Sequence, residues 1–200
     1  MTASRPDLAL RRLREDDRWR LFDWRGSDHI RAVSLDDRPL QREGHSAWFD
    51  DTIGQRPDEV LVVEWRERPV GVVQLEAYEP DQRLSSWGCY LGETDVPPGL
   101  GAALPLLGLG YGFETFGLRR MHAQVLGHNA RMRGIHRRIG LVEEGVLRRH
   151  LVRPDGTEVD VHLYGVLREE WPALLERGLA MFPTSLRPAV ADACRGVVAD

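Results

Sequence analysis

Apolar and polar positions alternate along this chain in short runs whose period switches between two and about 3.6. Leu8–Leu13 (LALRRL) alternates with period two and predicts a short first strand. Glu15–Arg25 and Gln41–Ile53 carry apolar residues at helical spacing, separated by a polar stretch around Asp36, Asp37 and Pro39. Strand-like runs follow at Val60–Glu64, Val70–Ala77 and Leu84–Leu91, with turn-forming segments at Gly54–Asp58 and Glu79–Gln82. A helix over 100–116, a strand over 120–126 and a helix over 129–139 come next. Two long strands, Val142–Leu151 and Val159–Leu167, flank R-P-D-G-T, a hairpin turn signal. Beyond residue 171, ALLERGLAMF and LRPAVADACRGVV predict one or two small amphipathic helices that could cap the sheet, serve a dimer contact or cover a pocket. This order predicts an α/β domain built on a mixed sheet.

Within the pattern, VPPGLGAAL (Val96–Leu104) stands between the strand-like WGCYLG (Trp87–Gly92) and a long apolar segment. A strand, two closely spaced glycines and a helix start make an anion site, because the first helical N–H groups have no partner within the helix. Downstream, VLGHNARMRGIHRRIGLVEEGVLRRHL places Asn129 at a helix N-cap and Gly140 at its stop.

The order of glycine loop, helix, strand, Asn-capped helix and I-G-L-V-E-E-G-V-L-R resembles the GNAT N-acetyltransferase superfamily. Gly99 and Gly101 fill both glycines of that family's Q/R-x-x-G-x-G/A loop, although Val96 stands where Gln or Arg is usual. Asn129, Gly140 and Leu141 match its next helix; Met132 replaces a small residue, and His136 stands at the position of the usual Tyr. WRGSDHIR (Trp24–Arg31), EGHSAWF (Glu43–Phe49), RPVGVVQL (Arg68–Leu75) and LREEW (Leu167–Trp171) resemble one branch of the family. That branch holds the nucleotide-linked amino-sugar N-acetyltransferases of the pseudaminic acid pathway and the ribosomal-protein N-terminal acetyltransferases. The resemblance implies a GNAT fold over residues 1–171, a mixed but mostly antiparallel sheet flanked by helices, with 172–200 as a C-terminal helical extension.

It also implies acetyl-CoA as acyl donor, without a metal. The donor would lie against the main chain of Tyr90, Leu91 and Gly92, the loop Pro98, Gly99, Leu100, Gly101 and Ala102, and Asn129, Arg131 and Arg133 of the second helix. Direct attack by an amine needs a proton acceptor, a polarised carbonyl and an acid for the thiolate. His136 is the expected acid, its ordinary pKa of about 6.5 making it available near neutrality. Glu76 is the expected base, with Gln124 and His128 as alternatives that would position a water. Arg25, His45, Trp48 and Trp87 are the expected acceptor residues: aromatics to stack on a base, cations to hold a phosphate.

Composition narrows these readings. All 27 basic residues are arginine, which excludes Schiff-base, pyridoxal-phosphate and P-loop chemistry, each of which needs a lysine. Nine of these arginines fall between Arg119 and Arg153 against Glu143 and Glu144, a basic segment in a chain of net charge −4. A polyanionic partner is implied, either the phosphates of CoA or, as an alternative, an aminoacyl-tRNA. Cys89 and Cys194 offer neither a disulfide framework nor metal spacing, and Cys89 reads as packed. The N-terminus lacks a secretory pattern and no run reaches membrane-span length, so the expectation is a cytoplasmic enzyme without a membrane partner, a homodimer being left open.

Overall fold

The computed structural model describes residues 6–195 and the backbone of 198–199. Eight strands form one sheet in the order β6-β7-β5-β4-β3-β2-β1-β8. β1 (Leu8–Arg12), β2 (Val60–Trp65), β3 (Arg68–Glu79) and β4 (Leu84–Leu91) make an antiparallel half. β5 (Arg120–Leu126), β6 (Val142–Val152) and β7 (Glu158–Leu167) make the other, with β7 central and antiparallel to both neighbours. β8 (Val198–Ala199) adds two residues parallel to β1. The helices are α1 (Arg18–Gly26), α2 (Asp28–Arg31), α3 (Arg42–Gln55), α4 (Leu100–Gly110), α5 (Ala130–Ile139), α6 (Trp171–Leu179) and α7 (Arg187–Cys194).

The expected elements are present with shifted ends. Glu15–Asp17 is a short 3-10 turn before α1, and α4 passes into a wider π turn at Tyr111–Thr115. Sequence periodicity gives no signal for α2, whose four residues are too few to show a period. Leu100, Leu104, Leu106, Leu107 and Leu109 of α4 are fully buried in the core, so truncating any one to Ala would cost about 2–5 kcal/mol. The predicted C-terminal extension is not separate in packing. Trp171, Leu174, Phe182, Leu186, Val190 and Cys194 belong to the same core as α4, and none of residues 172–195 lines the main cavity. The segment packs on α4, with α7 also against β1, and away from the cavity. Among the described residues no helix is long and apolar enough to cross a membrane.

One buried charge cluster fixes the start of the chain. Arg11, 3% exposed, donates to both carboxylate oxygens of Asp17 (2.5 and 3.0 Å) and to Glu64 (2.5 Å). Burial opposes the charge on Asp17, but Arg11 and the Arg14 N–H prevail and hold its carboxyl below the usual range.

Candidate active site

The two halves of the sheet meet along a seam that pairs only briefly. β4 and β5 run parallel and bond only over Leu84–Ser86 with Arg120–His122. From Trp87 onward they diverge, and the β4 edge that faces β5 is left without a partner strand. A cavity of about 980 Å³ occupies the split, reaching from Gly101, Asn129 and Arg131 on one side of the sheet to α1, α3 and the 33–41 segment on the other.

On the first side, the loop donors can be counted. Gly99 sits in the left-handed region (φ 92°) and caps α4, a conformation that favours glycine. The Leu100 N–H bonds Pro97 O (3.1 Å) and the Ala102 N–H bonds Gly99 O (2.8 Å), so neither is free. The N–H groups of Gly99 and Gly101 have no partner among the described residues. Arg131 reaches over the loop, its Nη2 3.4 Å from where a Cβ on Gly101 would stand. Asn129 caps α5 through Oδ1, which accepts from the Met132 N–H (3.1 Å). Two helix N-termini, two unused N–H groups and a guanidinium therefore converge, which fits a pyrophosphate.

Several expected donor contacts are corrected. The Gly92 N–H bonds Val70 O (2.9 Å) and the Trp24 ring lies over its Cα, so Gly92 is a packing position outside the cavity. Arg133 turns back to Gly127 O (2.9 Å) and does not line the cavity. Leu100 is wholly buried, so its side chain is core, while Pro98 is exposed in the loop without an N–H to offer. Tyr90 and Leu91 do line the cavity along the open β4 edge.

His136 also lines it, but not as an exposed, readily charged group. The ring is 1% exposed, wedged edge-on against Tyr164 and 5.5 Å from the Trp87 ring. Burial pushes its pKa down to about 4, so the imidazole is neutral at pH 7 and the expected availability near neutrality is not met. Trp87 is a second correction. Strand alternation turns it toward α4, where the indole lies 3.2 Å from where a Cβ on Gly108 would stand, so it stands on the donor side rather than among acceptor residues. Burial pushes the Cys89 thiol up to about 12, as befits a packed side chain.

The opposite face of β3 and β4 carries Gln74 and Glu76, aligned with Gly88 and Ser86. Gln74 Nε2 donates to Glu76 Oε1, which orients the carboxylate over the seam. Further out, Arg38 grips Asp36 through both oxygens and holds its carboxyl at about 2, while Arg25 Nη2 donates to the Asp36 carbonyl. Arg25 Nη1 is buried without a partner among the described residues. Trp48 lines the cavity and stays 37% exposed. His45 does not fit its expected role: burial lowers its pKa and Nε2 lies 2.7 Å from Arg18 O, so the ring is neutral and already engaged. Gln124 lines the same cavity as Glu76, whereas His128 Nε2 meets Ala32 O (2.7 Å). Gln74, Arg38 and Gly88 escape a reading of the sequence pattern, since nothing local marks a glycine opposite a strand Gln as functional.

Matched against known families, residues 7–142 fit the acetyltransferase (GNAT) domain. The chain belongs to this family. This GNAT enzyme is an N-acetyltransferase with acetyl-CoA as its donor. Solved structures share the fold at low identity. A spermidine N-acetyltransferase from Vibrio cholerae in complex with CoA and spermine is 20% identical, with 83% of this chain and 98% of that one covered and a TM-score of 0.76. A dodecameric structure of spermidine N-acetyltransferase from Vibrio cholerae is 21% identical over 82% and 96%, TM-score 0.69. A T. thermophilus protein provisionally described as an acetyltransferase is 22% identical over 90% and 95%, TM-score 0.69. No curated protein matches the chain, so the narrower amino-sugar and ribosomal branch rests on its motifs alone. Among the described residues no group of three or more His, Cys, Asp or Glu side chains could hold a metal.

Proposed function

We propose that this GNAT enzyme acetylates the primary amine of a small molecule that also carries an anionic group, a nucleotide-linked amino sugar being the acceptor class its motifs favour. The observation that carries the reading is the two-ended cavity: Gly101 and Arg131 at the donor end, next to the Gly99 turn, Glu76 at the seam, Arg25 and Arg38 with Trp48 at the acceptor end. Bound acetyl-CoA supplies an acetyl thioester. Glu76, oriented by Gln74, accepts the proton of the incoming ammonium so that a free amine attacks. The open β4 edge offers main-chain N–H groups where charge develops on the carbonyl. His136 borders the departing sulfur as a neutral hydrogen-bonding ring. Arg25, with Nη1 unengaged, holds the acceptor's anion.

The basic segment supports this division. Arg119, Arg120, Arg133, Arg149 and Arg153 are engaged within the protein, by Gln82 O, Glu144, Gly127 O, Glu158 and Asp37 respectively. Arg131 lines the cavity beside the glycine loop. A thermal-shift and turnover screen tests the proposal, using acetyl-CoA with a nucleoside-diphosphate amino sugar, spermine, a peptide N-terminus and aminoacyl-tRNA in turn. Stabilisation and turnover with the anionic amine are expected. Turnover with spermine, peptide or aminoacyl-tRNA instead would replace the acceptor class.

A further inference from the structure

Two nine-tenths-buried polar side chains that line the cavity have no hydrogen-bond partner among the described residues: Trp87, through Nε1, and His136, through both ring nitrogens. Buried polar groups in folded proteins are almost always paired, so a buried indole N–H without a partner, on a side chain that lines a cavity, calls for an acceptor. Trp87 is the first β4 residue past the seam, where the partner strand departs and the cavity begins. Its ring is fixed, packed within 3.2 Å of where a Gly108 side chain would start and tilted against His136 at 5.5 Å. Leu104, Ala123, Val125, Met132 and Ile135 give the same cavity apolar lining.

We infer that Trp87 is a recognition residue for the acyl end of the donor: its Nε1–H donates a hydrogen bond to the carbonyl oxygen of the acetyl thioester. The indole has one donor and no acceptor, and a carbonyl oxygen is a strong acceptor whereas a thiol or thioether sulfur is a weak one. The residue therefore distinguishes acetyl-CoA from CoA, favouring loaded donor over spent product. At a buried donor such a bond is undiluted by water, and the fixed ring needs no reorganisation to make it. The inference extends the donor reading of the cavity and rests on it.

The test is a pair of titrations of the full-length protein, with CoA and with acetyl-CoA, followed by ¹⁵N NMR of the six indole N–H groups assigned from the backbone. The Trp87 signal is expected to move with acetyl-CoA well beyond its movement with CoA. Calorimetry of Trp87→Phe adds a second readout: affinity for acetyl-CoA falling about tenfold with CoA nearly unchanged, the scale of one neutral hydrogen bond. Equal movement of the Trp87 signal with both ligands, or equal loss of both affinities in a folded variant, overturns the inference. If Trp87→Phe does not fold, the wild-type titration alone decides. Failure of wild-type protein to bind either ligand overturns the donor reading itself, and this inference with it.

Discussion

Gln74 donates its side-chain amide to Glu76 in the space that Gly88 leaves open, where a Cβ on residue 88 would stand 3.3 Å from both Gln74 Nε2 and Glu76 Oε1. Residues 74 and 88 are cross-strand partners, so the missing side chain is what lets the pair lie flat along β3.

A branched side chain at residue 88 should therefore push Glu76 off the seam without touching the donor loop. Gly88→Val is expected to weaken turnover about tenfold or more, the scale of one charge-assisted hydrogen bond, with CoA affinity unchanged. Steady-state kinetics beside calorimetry checks this, and wild-type kinetics in the variant would return Glu76 to an ordinary surface carboxylate.

The donor loop makes a graded prediction. At Gly101 a methyl would meet Arg131 at 3.4 Å and Leu91 at 3.7 Å, ordinary contact, so Gly101→Ala should fold and bind CoA. Gly101→Glu places bulk and negative charge at the unused N–H groups and should abolish binding. Gly99→Ala should instead cost stability, about 1–2 kcal/mol for a left-handed residue bearing a Cβ. Titration calorimetry and melting curves of the three variants separate these effects.

His136 should couple stability to pH. Its pKa is depressed from the ordinary value of about 6.5 to about 4, so the unfolded chain binds the proton more readily than the folded one. The stability contributed by the neutral ring is fully present above about pH 6.5 and is lost progressively as pH falls toward 4, by about 3 kcal/mol over that window. Urea unfolding of wild type and His136→Phe at pH 7 and pH 5 measures it. The wild type should lose more stability than the variant over that interval, and equal losses would contradict the burial of the imidazole.

Asp17 should be a charge on which the fold depends. Removing it in Asp17→Ala leaves Arg11 at 3% exposure with Glu64 as a carboxylate partner and takes away the carboxylate that accepts from the Arg14 N–H. A loss of about 3 kcal/mol is expected, the lower end for breaking a buried ion pair because Glu64 persists. Chemical denaturation checks it; a loss under half that size would show the pair to be dispensable.

The chain's own pattern determined a good deal: the strand and helix order through β7, the glycine loop, the Asn129 cap and Gly140 stop are set by local periodicity and backbone preference, which act over a few residues. Glu76, Gly99, Gly101, Arg131 and Trp48 can be named from spacing and motif, because helix starts and strand faces are local properties. What only tertiary structure decided is which residues share a face of the split. The aromaticity of Trp87 groups it with the acceptor residues, yet its place in β4 turns it toward α4. The ordinary pKa of a histidine has His136 titrating near neutrality, yet Tyr164 and Trp87, brought in from β7 and β4, desolvate it. Arg133 and His45 count as free in the sequence, yet backbone carbonyls from Gly127 and Arg18 engage them. Burial and side-chain pairing are set by residues remote in sequence, and the direction in which a functional group works follows from them.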